Sequence, residues 1–168
     1  TNIEGLYAAG DQLYASDCCG FAAATGYYAG RKAAAACRDL TLEEPDRTDV
    51  DREKERLYAP LFVKDGMDWR ELNKAVSKAM QNYCGGVKND MLLTQGLELL
   101  ESYEREYVPA LSCQNPHELM RAHEVTDILE VCRLIIHSCL LRKSSSVPLC
   151  FERSDYPQTD PEEDQCFI

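Results

Sequence analysis

The residues with the clearest chemical promise stand at the start of the chain, where the apolar run Leu6-Tyr7-Ala8-Ala9 ends in Gly10-Asp11. A short buried strand that finishes on Gly-Asp delivers a carboxylate to whatever lies beyond its carboxyl end, and a sugar hydroxyl is the natural partner for such a group. A helix is expected over residues 21–36, opening after Gly20 with Phe21-Ala22-Ala23-Ala24. Small residues in a first turn let a ligand approach the backbone N–H groups that have no partner inside the helix. Strand, turn and helix together would cradle a dinucleotide, with Gly10, Asp11, Gly20, Ala22, Ala23 and Ala24 as the contacting residues. Tyr27 and Tyr28 have two readings, stacking on a flat ring system or, more commonly for aromatic residues one turn into a helix, packing in a core.

A second dense polar cluster is His117, Glu118, Arg121, His123 and Glu124. Residues three or four apart share a helix face, so His117 pairs with Arg121 and Met120 with His123 and Glu124. A helical metal site wants two histidines four apart, whereas these are six apart, and no metal is expected. The nine cysteines include the adjacent pair Cys18-Cys19 but no Cys-x-x-Cys. Without that spacing a zinc ribbon or thioredoxin-like site is excluded, and the thiols read as reduced and mostly buried.

The elements that must position these groups follow from periodicity and end signals. After Cys37 the composition becomes charged, and Asp49 is expected to cap a short helix reaching about Leu57. Tyr58 to Val63 should run extended because Pro60 disfavours helix at Ala59. Asp68 caps the next helix, with Glu71 completing an acidic capping box, and Gly85-Gly86 ends it. A further helix starts at Asn89 and stops before Pro109, burying Leu93, Leu97, Leu100 and Tyr103. The longest helix is capped by Asn115, carries Pro116 in its first position, and shows the stripe Leu119, Ala122, Val125, Leu129, Cys132, Ile136 and Cys139. Three amphipathic helices with short connections make a small bundle. The acidic, proline-bearing tail beyond Ser146 should lie extended over it or be disordered.

In this order the motifs resemble the C-terminal part of the succinate dehydrogenase/fumarate reductase flavoprotein family, and most of all its adenylylsulfate reductase α-subunit branch. The resemblance rests on Gly5 to Asp11, Gly30-Arg31, Asp68 to Leu72, Met80 to Gly85, Gly96-Leu97, His117 to Arg121 and Asp155-Tyr156-Pro157. It implies FAD as the cofactor of a longer enzyme whose C-terminal segment completes the flavin site and braces it with a helical domain. It also implies a mainly α fold: a helical bundle preceded by one strand and one helix left over from an FAD-binding α/β domain. The corresponding divisions are residues 1–40 for the strand and helix, 41–66 for a linker, and 67–168 for the helical domain with its tail. Expected partners are the upstream FAD-binding and capping domains of the same polypeptide, and an iron–sulfur or haem electron-transfer partner. The expected location is the cytoplasm, or a membrane surface reached through a partner. Arg121 and Glu124 are expected to tie their helix to its neighbours or to the FAD domain.

Two departures from the family pattern stand out. The dicarboxylate-reducing members place a proton-donating Arg in the turn before the flavin-facing helix, where this sequence has Asp17, Cys18 and Cys19. An acid there does not supply the positive field that a dicarboxylate needs. A late Arg-Glu-Ser-Arg motif is replaced by Lys143-Ser144-Ser145-Ser146. The alternative from a different class is a stand-alone helical interaction module without redox activity. Nucleic acid is excluded as a partner by a net charge of −11 and the absence of a basic stripe, and no segment is apolar enough to span a membrane.

The Gly-x-Gly-x-x-Gly turn that would hold the adenosine half of FAD is absent from this sequence. The 168-residue chain is therefore expected to lose flavin on desalting. Stoichiometric flavin absorbance in the desalted protein would contradict this reading.

Overall fold

The computed structural model describes residues 3–13, 18–41 and 44–162. The chain divides into two units, Thr1–Asp46 and Arg47–Ile168. The second is built on three helices whose start signals operate largely as the sequence predicts. Helix α3 spans Trp69–Tyr83, and the Asp68 carboxylate accepts a hydrogen bond from the Arg70 N–H at 2.7 Å. Helix α4 spans Asp90–Glu106, with the Asn89 side chain accepting from the Leu92 N–H at 2.9 Å. Helix α5 spans Pro116–Leu141, where Asn115 accepts from the Glu118 N–H at 3.0 Å. Glu118 reaches one residue further back than a capping box requires, accepting from the Gln114 N–H at 2.8 Å.

The faces these helices turn inward make one core. Leu72, Val76 and Ala79 of α3, Leu93 and Leu100 of α4, and Ala122, Val125, Leu129, Cys132, Ile136 and Cys139 of α5 are buried together. Leu97 and Tyr103 pack against this core only partly buried. Gly96 sets the closest approach, because a Cβ there would lie 2.6 Å from the Tyr83 Cβ and 3.3 Å from the Ile136 Cδ1. A larger residue at this point would push α4 away from both α3 and α5.

The segment leading into the bundle departs from expectation. Helix α2 spans Arg47–Tyr58, so Asp49 lies inside the first turn, where it pairs with Arg52 instead of capping. Arg56 likewise pairs with Glu53 on the same solvent-facing helix; such exposed pairs are screened by water and add little to stability. Ala59–Leu61 then forms a 3-10 turn instead of an extended strand. Pro60 fits there because the first positions of such a turn have no use for an N–H. It is buried, and its carbonyl accepts from the Cys113 N–H at 2.9 Å. Met67 and the Ala110–Ser112 segment exchange backbone hydrogen bonds of 2.7 and 3.0 Å. Gly66 permits that contact, since a Cβ there would fall 2.2 Å from the Ala110 carbonyl oxygen.

The tail is folded, not loose, through the described residues. Strand β2, Glu152–Arg153, pairs in parallel with strand β1, Val87–Lys88. Arg153 has no exposed surface, and all of its guanidinium geometry is used. Nη1 donates to the carbonyls of Cys139 at 2.6 Å and Arg142 at 2.8 Å. Nη2 donates to Asp90 at 2.6 Å and Asp155 at 2.8 Å, while Nε donates to Asp155 at 2.9 Å. Tyr156 covers the group, with its ring centre 4.9 Å from the guanidinium carbon. Asp155 also accepts from the Asp90 N–H at 2.7 Å, so one carboxylate serves both the arginine and the start of α4.

This cluster makes the tail a structural latch. Arg153→Met removes the donors of two buried carbonyls and separates Asp90 from Asp155, which is expected to destabilise the second unit by about 2–4 kcal/mol. The Arg153 hydrogen bonds hold the Asp155 carboxyl well below the usual carboxylate range. Lys143 and then Arg153 also lower the Asp90 carboxyl. A depressed folded pKa gives stability that is complete above the unfolded value near ~4 and is lost as the pH falls towards the folded one. Denaturant midpoints should thus fall more steeply below about pH 4 in the wild type than in Arg153→Met; parallel profiles would contradict the latch.

Candidate flavin-facing site

The first unit is organised by helix α1, Cys18–Ala36, and a 3-10 turn at Gly10–Gln12. The helix begins at least three residues before the expected Phe21, since Cys18, Cys19 and Gly20 are already helical. Cys18, Cys19 and Gly20 thus take the helical positions expected for Phe21 and the alanines after it. Asp17 lies outside the described residues, so its place before this helix is not defined. Leu6 to Ala9 form no strand ladder among the described residues, although the Ala9 backbone is extended. A strand exists only through pairing, and these residues have no described strand beside them.

The structure brings some of the six predicted contact residues together. Gly10 adopts φ +66°, a conformation that side-chain-bearing residues rarely take. Its N–H donates to the Thr25 hydroxyl at 3.0 Å, and Thr25 in turn donates to the Phe21 carbonyl at 2.7 Å. A Cβ on Gly10 would sit 3.7 Å from that of Ala22, so the turn rests on the helix at ordinary contact distance. Asp11, the next residue of the turn, presents an exposed carboxylate. Gly20, Ala23 and Ala24 are exposed along the first turns of α1, with open space where a Gly20 side chain would be.

Thr25 is the residue that sequence reasoning missed. Its signal was a hydroxyl inside an otherwise small and apolar helix, where threonine commonly bonds back to a carbonyl one turn earlier. Here it also takes the Gly10 donor, so that N–H is not available to a ligand. Residues 21, 25, 29 and 33 make a half-buried stripe, and no residue of α1 is fully buried. Tyr27 and Tyr28 are each 67% exposed, against the expectation of core packing; Arg31 and Lys32 lie over their rings at 5.5 and 5.6 Å. Alanine neighbours are too small to bury rings of this size.

The polar residues of α5 take different roles from those expected. Arg121 and Glu124 bond each other at 2.7 Å on the solvent side and, among the described residues, make no tie to a neighbouring helix of this unit, which leaves the other expected partner, the FAD domain, outside this chain. His123 makes the tie, with Nε2 2.8 Å from the Leu57 carbonyl at the end of α2. No cluster of three or more metal-ligating side chains occurs among the described residues. Among the described residues the thiols are less buried than expected: Cys18, Cys19, Cys37 and Cys150 are exposed and Cys84 is half-buried, while Cys113, Cys132 and Cys139 lie inside. No helix among the described residues is long and apolar enough to cross a membrane.

Comparison with known proteins bears on the same elements. Residues 73–167 match the family described as fumarate reductase flavoprotein C-term. Among solved structures, adenylylsulfate reductase from Archaeoglobus fulgidus superposes with a TM-score of 0.75 at 24% identity, over 86% of this chain and 26% of that one. The Mycobacterium smegmatis Sdh1 complex gives 0.71 at 19% identity, over 80% and 23%. The FrdA subunit of E. coli quinol fumarate reductase gives 0.62 at 18%, over 84% and 24%. The chain thus spans about a quarter of the length of these structures. No curated protein matches it. With most of α3, all of α4 and α5 and the returning tail covered by the family match, the chain belongs to the fumarate reductase flavoprotein C-terminal family.

Proposed function

We propose that this chain is the C-terminal part of an FAD-dependent oxidoreductase of the fumarate reductase, succinate dehydrogenase and adenylylsulfate reductase type. In this reading residues 1–40 complete the flavin site, and the helical domain braces them. The observation that carries the proposal is the contrast between the two units. The family-matched helices bury a full core, whereas the first unit leaves Leu6, Tyr7, Tyr27, Tyr28 and Leu40 exposed. Exposed apolar side chains beside a helix rich in glycine and alanine suit a surface that a cofactor and further protein cover.

The described residues fit one flank of a flavin. Asp11 offers an exposed carboxylate for ribityl hydroxyls, and Gly20, Ala22, Ala23 and Ala24 leave the first turns of α1 without bulky cover. Gly10 contributes shape, because its positive φ turns the chain at Asp11 while its N–H is held by Thr25. Bound flavin supplies hydride and electron transfer. These side chains would orient the ribityl side and exclude water from it. The glycine-rich turn for the adenosine half and the capping domain belong, in this proposal, to upstream parts of the same polypeptide. Electrons would pass to an iron–sulfur or haem partner, and any membrane association would run through that partner. In the sequence, Asp17, Cys18 and Cys19 replace the Arg that the dicarboxylate-reducing members carry before this helix, which favours a substrate other than fumarate or succinate.

Asp11→Ala tests the assignment in the reconstituted full-length flavoprotein. Loss of a charge-assisted hydrogen bond worth roughly 1.5–3 kcal/mol should weaken FAD binding about tenfold or more. Unchanged flavin affinity would remove Asp11 from the site.

A further inference from the structure

The sulfur atoms of Cys84 and Cys139, 55 residues apart in sequence, lie 3.9 Å from each other inside the second unit. Cys84 occupies the C-cap of α3, with its N–H bonded to the Met80 carbonyl, and is half-buried. Cys139 sits in the last turn of α5 and is buried. The two thiols therefore face each other across the closed end of the bundle, one within reach of small solutes and the other shielded.

We infer that Cys84 and Cys139 form an oxidisable dithiol, a modification site in which Cys84 reacts first with hydrogen peroxide and Cys139 resolves the product into a disulfide. This goes beyond the flavin reading and does not depend on it. In the first step the Cys84 thiolate attacks one peroxide oxygen; an S–O bond forms, the O–O bond breaks, and the second oxygen leaves as water after protonation. Cys84 becomes a sulfenic acid. In the second step the Cys139 sulfur attacks that sulfur; the S–S bond forms, the S–O bond breaks, and a second water carries away the Cys139 proton. Two thiols are oxidised by two electrons and one peroxide is reduced to two waters.

Several features support this order. Attack requires a thiolate and access, and Cys84 is the more exposed of the two facing thiols. The Cys139 hydrogen bond and, to a lesser extent, the charge of Lys88 hold Cys84 below the ordinary thiol range. The same hydrogen bond and burial push Cys139 up, which suits a thiol that reacts second. Closing from 3.9 Å to the disulfide length of about 2.05 Å asks for a small movement at Cys84, and Gly85 and Gly86 follow it directly. The bond would also fix the latch, because the Cys139 carbonyl accepts the Arg153 Nη1 at 2.6 Å. Cys132, one heptad before Cys139 on the same face of α5, is the competing thiol; burial pushes it up, as does the nearby Cys84 charge.

Tryptic mapping separates the candidates, since Cys84, Cys132 and Cys139 fall on the peptides Ala79–Lys88, Ala122–Arg133 and Leu134–Arg142. After treatment of the folded 168-residue chain with hydrogen peroxide and alkylation of remaining thiols, the expected product is Ala79–Lys88 linked to Leu134–Arg142. Dithiothreitol should reverse it, and it should persist in Cys132→Ser. In Cys139→Ser, dimedone should label Cys84 instead. Oxidised wild-type protein should melt at a higher temperature than reduced protein. Free alkylated Cys84 and Cys139, a link from Cys84 to Cys132, or oxidation of Cys84 past sulfenic acid without any link would each overturn the proposal, and the wild-type map alone decides it if a variant does not fold.

Discussion

A guanidinium with no access to water holds the second unit closed. Burying an isolated cation costs several kcal/mol, so Arg153 is tolerated only because every donor has a partner and two carboxylates flank it. Its partners come from the start of α4, the end of α5 and the tail itself. One residue thereby joins three parts of the chain that no apolar contact could join with the same directional control. The short parallel pairing of β1 with β2 depends on that anchor, because two residues of ladder are marginal alone. Tyr156 over one face of the arginine and Lys143 on Asp90 complete the set.

The two units rest on different physics. Helices α3, α4 and α5 gain stability from a continuous core of aliphatic side chains, with leucines at 72, 93, 100 and 129 almost fully removed from water. Helix α1 has mostly alanine and glycine to offer, and its larger aromatic residues point to solvent. A 19-residue alanine-rich helix has good intrinsic propensity but is marginal in isolation. One hydrogen bond, from the Gly10 N–H to the Thr25 hydroxyl, ties its turn to the helix, which is little for an element of this length. Such a unit makes sense as one side of a larger site, as proposed for the flavin.

The bundle was legible in the sequence because its signals are local. Asp68, Asn89 and Asn115 each announce a helix start by side-chain chemistry that acts within three residues, and the stripe from Ala122 to Cys139 repeats at helical spacing. Arg153 was not legible: an arginine two residues from an aspartate in an acidic tail reads as solvated, and its decisive partners lie 63 and 14 residues away. Pro60 misled for a related reason, since its preference against helix at Ala59 says nothing about the 3-10 turn that burial of its ring favours. The residues proposed for the cofactor side were picked as types in a pattern, Gly-Asp followed by a small-residue helix, while the hydroxyl of Thr25 that fixes Gly10 could be recognised only once the turn and helix were in contact.

The central claim is that the helical unit carries its own stability while the first unit relies on surfaces beyond the described core. Hydrogen exchange on the monomeric 168-residue chain, read by peptide mass, tests it most directly. The account predicts slow exchange across α3, α4 and α5, with Val87 to Asp90 and Glu152 to Asp155 protected together, and fast exchange across Cys18–Ala36. Protection of α1 equal to that of α5 would contradict it, because a helix without a buried side chain would then be shown to have a core of its own.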